Sequence, residues 1–325
     1  MKKLKLDSFV LLLFVAVALS YFFPQLAYSN YINLNTVISV GITLIFFFYG
    51  LKLSFEDIKR DLRNWKLHIV IQLSTFLLFP LLVVAFKPFV FSADKESIWL
   101  AFMFLAALPS TVSSSVVMVS LARGNVPASI FNATISGLIG IIITPLWMGL
   151  FIEQSAADFH LGPIYIKLVT EILLPVGLGL LLQHYFSYFH RFTLKYAILF
   201  NGFDKTVILL IVYNSFAKSF VDRIFSSVDA WGFMIVVLGS VAIFFVVYEI
   251  TGYVSKRLKF NLPDTIAVQF NGTKKSLLHG TVFSKVLFGA GAVPIGIILL
   301  PIMIYHTLQI FIVSIIATKK GARDD

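Results

Sequence analysis

An interruption constrains this chain more than anything else in it. Asn271-Gly272-Thr273-Lys274-Lys275-Ser276 sits in the middle of an otherwise apolar run from Pro263 to about Gly289. The run is long enough to cross a bilayer. A crossing segment should be a continuous apolar helix, because lipid offers no partners to free backbone groups or charges. Here a glycine and two adjacent lysines fall near the midpoint instead. On insertion scales a lysine at that depth costs about 2.5–3.5 kcal/mol, and a pair roughly twice that. A ligand or ion site at membrane depth is the usual reason for such an expense.

The rest of the chain agrees with a membrane setting. It is 325 residues long, 58% hydrophobic and 13% charged, and its mean hydropathy is +0.91. No soluble domain hides that much apolar surface, so the expected class is an all-α polytopic membrane protein. Apolar segments place ten spans at 8–28, 34–52, 66–86, 97–121, 126–151, 164–185, 200–220, 230–254, 263–289 and 292–317. The absence of cysteine excludes disulfides, thiolate metal sites and cysteine nucleophiles. A net charge of +10 could suggest nucleic acid. The basic residues lie in loops beside the spans, however, so the lipid bilayer is the expected partner and nucleic acid is not.

Ten spans put both termini on one side. The loops on that side hold seventeen lysines and arginines, among them Lys2, Lys3, Lys5, Lys59, Arg60, Arg63, Lys256, Arg257, Lys319 and Lys320. The opposite loops hold four: Lys87, Lys95, Lys218 and Arg223. Both termini are therefore expected in the cytoplasm, with the protein in a plasma or inner membrane. The first 29 residues also match a secretory signal pattern, with Ala27-Tyr28-Ser29 as a cleavage site. Cleavage there would leave nine spans.

Span four is interrupted at Leu108 to Ser115 and span nine at Asn271 to Ser276, with Pro109 and Asn271 162 residues apart. Thr144-Pro145 in span five has a counterpart in Leu300-Pro301 in span ten. Helix breaks at equivalent places in two halves point to a transporter built from inverted repeats. The halves are residues 1–161 and 162–325, five spans each. Because five is odd, the second half runs upside down relative to the first.

In such folds the interrupted helices cross near the midplane. Half-helix N-termini then aim positive dipole ends at a cavity, and freed carbonyls coordinate a cation. Ser110, Thr111, Ser113, Ser114 and Ser115 would supply hydroxyls from span four, facing Asn271, Thr273, Lys274, Lys275 and Ser276. The plainer alternatives are close packing of small residues and lysines that snorkel to an interface. His279 follows Lys275 by four, which on a helix puts both on one face. Ser129, Asn132 and Ser136 make a polar stripe on span five, Gln72 lies in span three, and Glu171 could serve as counter-ion to a buried lysine. Gly272 to Ser276 lacks the upstream glycine and strand of a phosphate loop. No metal-ligand spacing, catalytic triad or cofactor motif emerges, so neither an enzyme nor a cofactor is expected.

Ten spans in two inverted halves with crossing fourth and ninth helices resemble the bile acid:sodium symporter family across essentially the whole chain. The marks are Pro109 to Ser115, Arg123-Gly124-Asn125 leading into span five with Thr144-Pro145, and the break from Gln269 to Ser276. The chain looks most similar to the divergent branch with G-[ST]-K-K-S in its ninth helix, here Gly272 to Ser276, and I-F-N in its fifth, here Ile130-Phe131-Asn132. The resemblance implies a core domain of spans 3–5 and 8–10 and a panel domain of spans 1, 2, 6 and 7. It also implies sodium ligands at Gln72, Ser114, Ser115 and Ser129. In span nine the family's glutamate falls at or next to Phe270 and its glutamine at Lys274, while Ala133 replaces a span-five hydroxyl.

A lysine ammonium carries one positive charge and three donors, so it can take a monovalent cation's place among the same oxygens. Lys274 or Lys275 is thus either a built-in cation or the group that attracts an organic anion. The expected function is secondary transport of a small organic anion by alternating access, coupled to a proton in preference to sodium. The alternative is a membrane regulator or partner-binding protein that keeps the transporter fold and moves nothing.

Overall fold

The computed structural model describes residues 8–28, 33–52, 64–90, 93–111, 113–152, 166, 169–221, 223, 230–288 and 293–322. The basic loop at 53–63, both ends of the chain and the junction between the expected repeats lie outside the described residues.

Among the described residues the chain is helical throughout, without a strand. Apolar side chains with internally paired backbone are what lipid demands of a spanning segment. The helices are α1 (Ser8–Phe22), α2 (Leu34–Lys52), α3 (Trp65–Leu73), α4 (Phe79–Ala85), α5 (Ala93–Ala107), α6 (Ser113–Leu121) and α7 (Val126–Ile152). They continue with α8 (Leu174–Tyr185), α9 (Ser187–Lys195), α10 (Ala197–Val221), α11 (Ala230–Arg257), α12 (Leu262–Thr273), α13 (Leu277–Phe288) and α14 (Ile295–Gly321). A π-turn over Ser74–Leu78 joins α3 to α4, and another over Val169–Leu173 leads into α8. Among the described residues, five stretches are long and apolar enough to cross a membrane: Leu34–Lys52, Trp65–Phe89, Val126–Ile152, Ala230–Arg257 and Ile295–Gly321.

Two apolar runs are cut where the sequence predicts. One helix stops at Ala107 and resumes at Ser113; the other stops at Thr273 and resumes at Leu277. Pro109 has no N–H, and the Leu105 carbonyl is met one residue early by the Leu108 N–H at 3.2 Å. Thr144-Pro145 and Leu300-Pro301 behave otherwise than expected of breaks, because α7 and α14 run on through both prolines. A proline removes one donor, and a long helix packed on both sides absorbs that loss.

The chain falls into two compact units. The first comprises Met1–Ser54, His160–Ser227 and Thr281–Leu299. Within it α2 and α8 touch backbone to backbone at Gly50 and Gly179, where an added Cβ would strike the carbonyls of Val176 and Phe47 respectively. Small residues at such crossings permit the close approach that drives packing in lipid. Lys52 pairs with Asp204 at 3.5 Å, and the Phe46 and Phe283 rings stack at 6.3 Å.

The second unit comprises Phe55–Phe159, Val228–Gly280 and Leu300–Asp325, and it contains both breaks. Phe79, Phe104, Phe244, Phe270 and Tyr305 are fully buried in it. Gly140 on α7 lies flat against the Pro109 ring, 2.8 Å from where its Cβ would stand. In the first turn of α12, the Asp264 carboxylate accepts from Asn125 at 2.6 Å and Asn64 at 3.2 Å. Asn125 in turn caps α7 by accepting from the Ala128 N–H.

Candidate functional site

The two breaks are bonded to each other reciprocally. The Ser110 hydroxyl donates to the Asn271 carbonyl, and the Ser276 N–H donates to the Pro109 carbonyl, each at 2.9 Å. Three carbonyls freed at the end of α5 find partners from elsewhere. Ala107 accepts from the Thr144 hydroxyl at 2.7 Å, while Ala106 and Leu108 accept from Lys275. The Ser110 N–H turns to the Ser136 hydroxyl at 2.9 Å. Ser129 and the Asn271 side-chain amide lie 3.0–3.2 Å apart, and Asn271 also donates to Ala267. Irregular backbone at membrane depth is tolerated only with this degree of satisfaction.

The adjacent lysines are 0% and 1% exposed and differ in what they meet. Lys275 Nζ donates to the carbonyls of Thr75 at 2.8 Å, Ala106 at 2.6 Å and Leu108 at 2.9 Å, and stands 4.2 Å from the centre of the Phe79 ring. An ammonium has three donors, so this one is fully used. The Gln309 side chain clamps its backbone, accepting from the Lys275 N–H at 2.9 Å and donating to its carbonyl at 2.8 Å. Among the described residues Lys274 Nζ makes one hydrogen bond, to the Ser114 carbonyl in the first turn of α6. Among the described residues, the neighbouring Ser114 and Ser115 hydroxyls are buried without a hydrogen-bond partner. Among the described residues the hydrogen-bond partners of both ammonium groups are main-chain carbonyl oxygens.

The remaining predicted residues sort around these two. Gln72 donates to the Asn132 carbonyl and side chain at 3.2 Å, and its Oε1 is buried without a partner among the described residues. Asn132 also meets the His68 ring at 2.7 Å. Thr273 bonds back into its own helix at Gln269, and its carbonyl accepts from the Tyr305 hydroxyl at 2.5 Å. Ser276 caps α13, its hydroxyl accepting from the His279 N–H at 3.3 Å and meeting the His279 Nδ1 at 2.9 Å. The shared helical face expected of Lys275 and His279 does not exist, because Lys275 lies in the break and the helix begins only at Leu277. Thr111 is partly buried in irregular backbone, and Ser113 opens α6 with its side chain outside the described set.

Sequence reasoning passes over Thr75, Tyr305 and Gln309. Thr75 contributes a backbone oxygen, which no side-chain letter records. Tyr305 and Gln309 are polar residues inside the last apolar run, and that polarity is the signal the sequence carries for them. A further, half-buried link, from Lys320 to Gln269 at 2.8 Å, ties the end of α14 to α12.

The model of the SBF-like CPA transporter family matches residues 7–321. An uncharacterized protein of Pseudomonas aeruginosa is 32% identical over 322 residues, covering 98% of this chain and 94% of the relative. The putative symporter YfeH of Escherichia coli is 33% identical over 318 residues, covering 97% and 92%. Sodium/bile acid cotransporter 7 of Xenopus tropicalis is 29% identical over 287 residues, covering 86% and 81%. With its apolar helices, paired breaks and a match over nearly its whole length, the chain is an integral membrane protein that belongs to the SBF-like CPA transporter family.

Proposed function

We propose that this protein is a secondary transporter of a small organic anion and that Lys274 receives the anion. The observation that carries this reading is the unequal use of the two lysines. Among the described residues Lys274 Nζ gives one of its three donors to the Ser114 carbonyl and two to nothing, and the Ser114 and Ser115 hydroxyls of the same helical turn are buried without a partner. A carboxylate or sulfonate has enough lone pairs to accept from all four. It would also compensate a charge that is costly to bury alone. The names of the relatives support a carried small molecule, and a bile acid is one organic anion.

In this reading ten spans form two inverted repeats, residues 1–161 and 162–325, with both termini cytoplasmic. Spans 3–5 and 8–10 act as the core, moving against a panel of spans 1, 2, 6 and 7. The two compact units support most of that assignment; Thr281–Leu299, from spans nine and ten, group with the unit that holds α1 and α2. A proton is the preferred coupling ion and sodium the second candidate. The second reading, a regulator that moves nothing, is favoured by Phe270 and Lys274 standing where the resemblance places the sodium-binding glutamate and glutamine.

Purified protein in liposomes, offered a panel of labelled organic anions, separates the two readings. Uptake of at least one anion is expected from wild type and not from Lys274→Met, which keeps roughly the length and removes the charge. Binding and uptake by Lys274→Met at wild-type levels would overturn the role given to Lys274. Binding without uptake by wild type would favour the regulator.

A further inference from the structure

The seat of the Lys275 ammonium is made wholly of main-chain oxygens, each left free by a feature of the sequence. At Thr75 the π-turn sends the Phe79 N–H to Ser74, and Pro80, next along, has no N–H to give. At Ala106 the N–H four residues on belongs to Ser110, which is bonded to Ser136 instead. Leu108 lies past the last turn of α5, where carbonyls have no intrahelical partner. Two of the three oxygens therefore belong to the negative end of a helix dipole.

Three carbonyls converging within 2.6–2.9 Å of one point, with the Phe79 ring face at 4.2 Å, is how proteins hold a bare monovalent cation. Here the cation is the end of a side chain. Its donors are all used, its backbone is clamped on both sides by Gln309, and it is 1% exposed. Nothing remains on it to greet a substrate, in contrast to Lys274.

We propose that this seat is a monovalent-cation site whose cation is covalently tethered, and that Lys275 holds the π-turn between α3 and α4, the end of α5 and the α12–α13 break together without any free ion. Cutting the tether would then leave a site for small ammonium and alkali cations. Lys275→Ala removes Cγ, Cδ, Cε and Nζ, so n-propylammonium is the ligand that restores the missing atoms. The proposal stands on geometry within one compact unit and does not depend on what, if anything, the protein carries.

The test is thermal unfolding of the detergent-solubilised full chain. Lys275→Ala is expected to melt at least about 5 °C below wild type. Propylammonium chloride should restore it saturably, ammonium and potassium chloride in part, and n-propanol or choline chloride not at all. Wild type should respond to none of them specifically. Equal recovery with propanol would mean that the seat needs bulk rather than charge, and would overturn the proposal. If Lys275→Ala is not recovered folded, Lys275→Met decides, with Lys274→Met as its neighbour control. A stable Lys274→Met beside an unstable or unrecoverable Lys275→Met supports the seat. Wild-type stability of Lys275→Met, or equal losses from both, overturns it.

Discussion

Lys275 Nζ stands 2.8 Å from the Thr75 carbonyl oxygen, 200 residues away in the chain. The bond exists because a proline follows Thr75 at the one place where its absent N–H matters. Pro80 frees an oxygen in the π-turn after α3, Pro109 ends the helix that supplies two more, and a lysine from the α12–α13 break collects all three. The expense of burying an ammonium and the expense of breaking two helices are thus set against each other. Neither device would be tolerable in lipid without the other.

Gln309 should be among the least replaceable residues of the last helix. It is 1% exposed, and it satisfies both main-chain groups of Lys275, which have no helical partner in the break. Gln309→Leu leaves a buried donor and a buried acceptor unmet, at about 1–3 kcal/mol each. The expected outcome is a loss of several degrees in melting temperature, with Gln309→Glu, which keeps the acceptor, falling between the two. A Gln309→Leu protein as stable as wild type would show that the clamp is dispensable.

Orientation can be checked without a substrate. On the ten-span reading, which puts seventeen basic residues on one side and four on the other, the C-terminus and the segment joining α4 to α5 are expected to face opposite compartments. Reporter fusions after Asp325 and beside Asp94 should give opposite signals, the first cytoplasmic. The same signal from both would dismiss ten spans.

The parts of this protein that are legible in its sequence are those written in side chains. The break in span nine announces itself because two lysines and a glycine are out of place in lipid, and the break in span four because Pro109 precedes a run of hydroxyls. What those breaks bond to is largely backbone, and a carbonyl oxygen has no letter. Thr75 could be reached only by asking which oxygen Pro80 leaves unpaired, and Gln309 only by asking why an amide sits in the last span. The pairing of Lys275 with His279 on one face fails for a related reason. Spacing by four assumes a helix, and the residue lies in the one stretch where there is none. Pro145 and Pro301 fail in the opposite sense, since each sits in a helix long enough to continue past it.

The ion dependence is the sharpest remaining test, because the printed name of some relatives contains sodium. In this chain the positions that the resemblance assigns to sodium's glutamate and glutamine hold Phe270 and Lys274, and Ser129 is bonded to Asn271. A sodium ion arriving between Gln72, Ser114 and Ser115 would meet a fixed ammonium on the Ser114 carbonyl rather than a carboxylate. Sodium is therefore expected to raise the melting temperature of wild type no more than matched potassium, and to leave anion uptake unchanged. A bound ion would be hard to miss, since occupancy at a hundredfold excess over Kd stabilises by about 2.7 kcal/mol. The informative variant is Lys274→Gln, which removes the competing charge and adds an amide oxygen beside the serine hydroxyls. A sodium-specific stabilisation that appears only in Lys274→Gln would place the lysine in the ion's stead. Saturable sodium stabilisation of wild type would mean that Lys274 does not exclude the ion, and the case for an anion-receiving Lys274 would lose its footing.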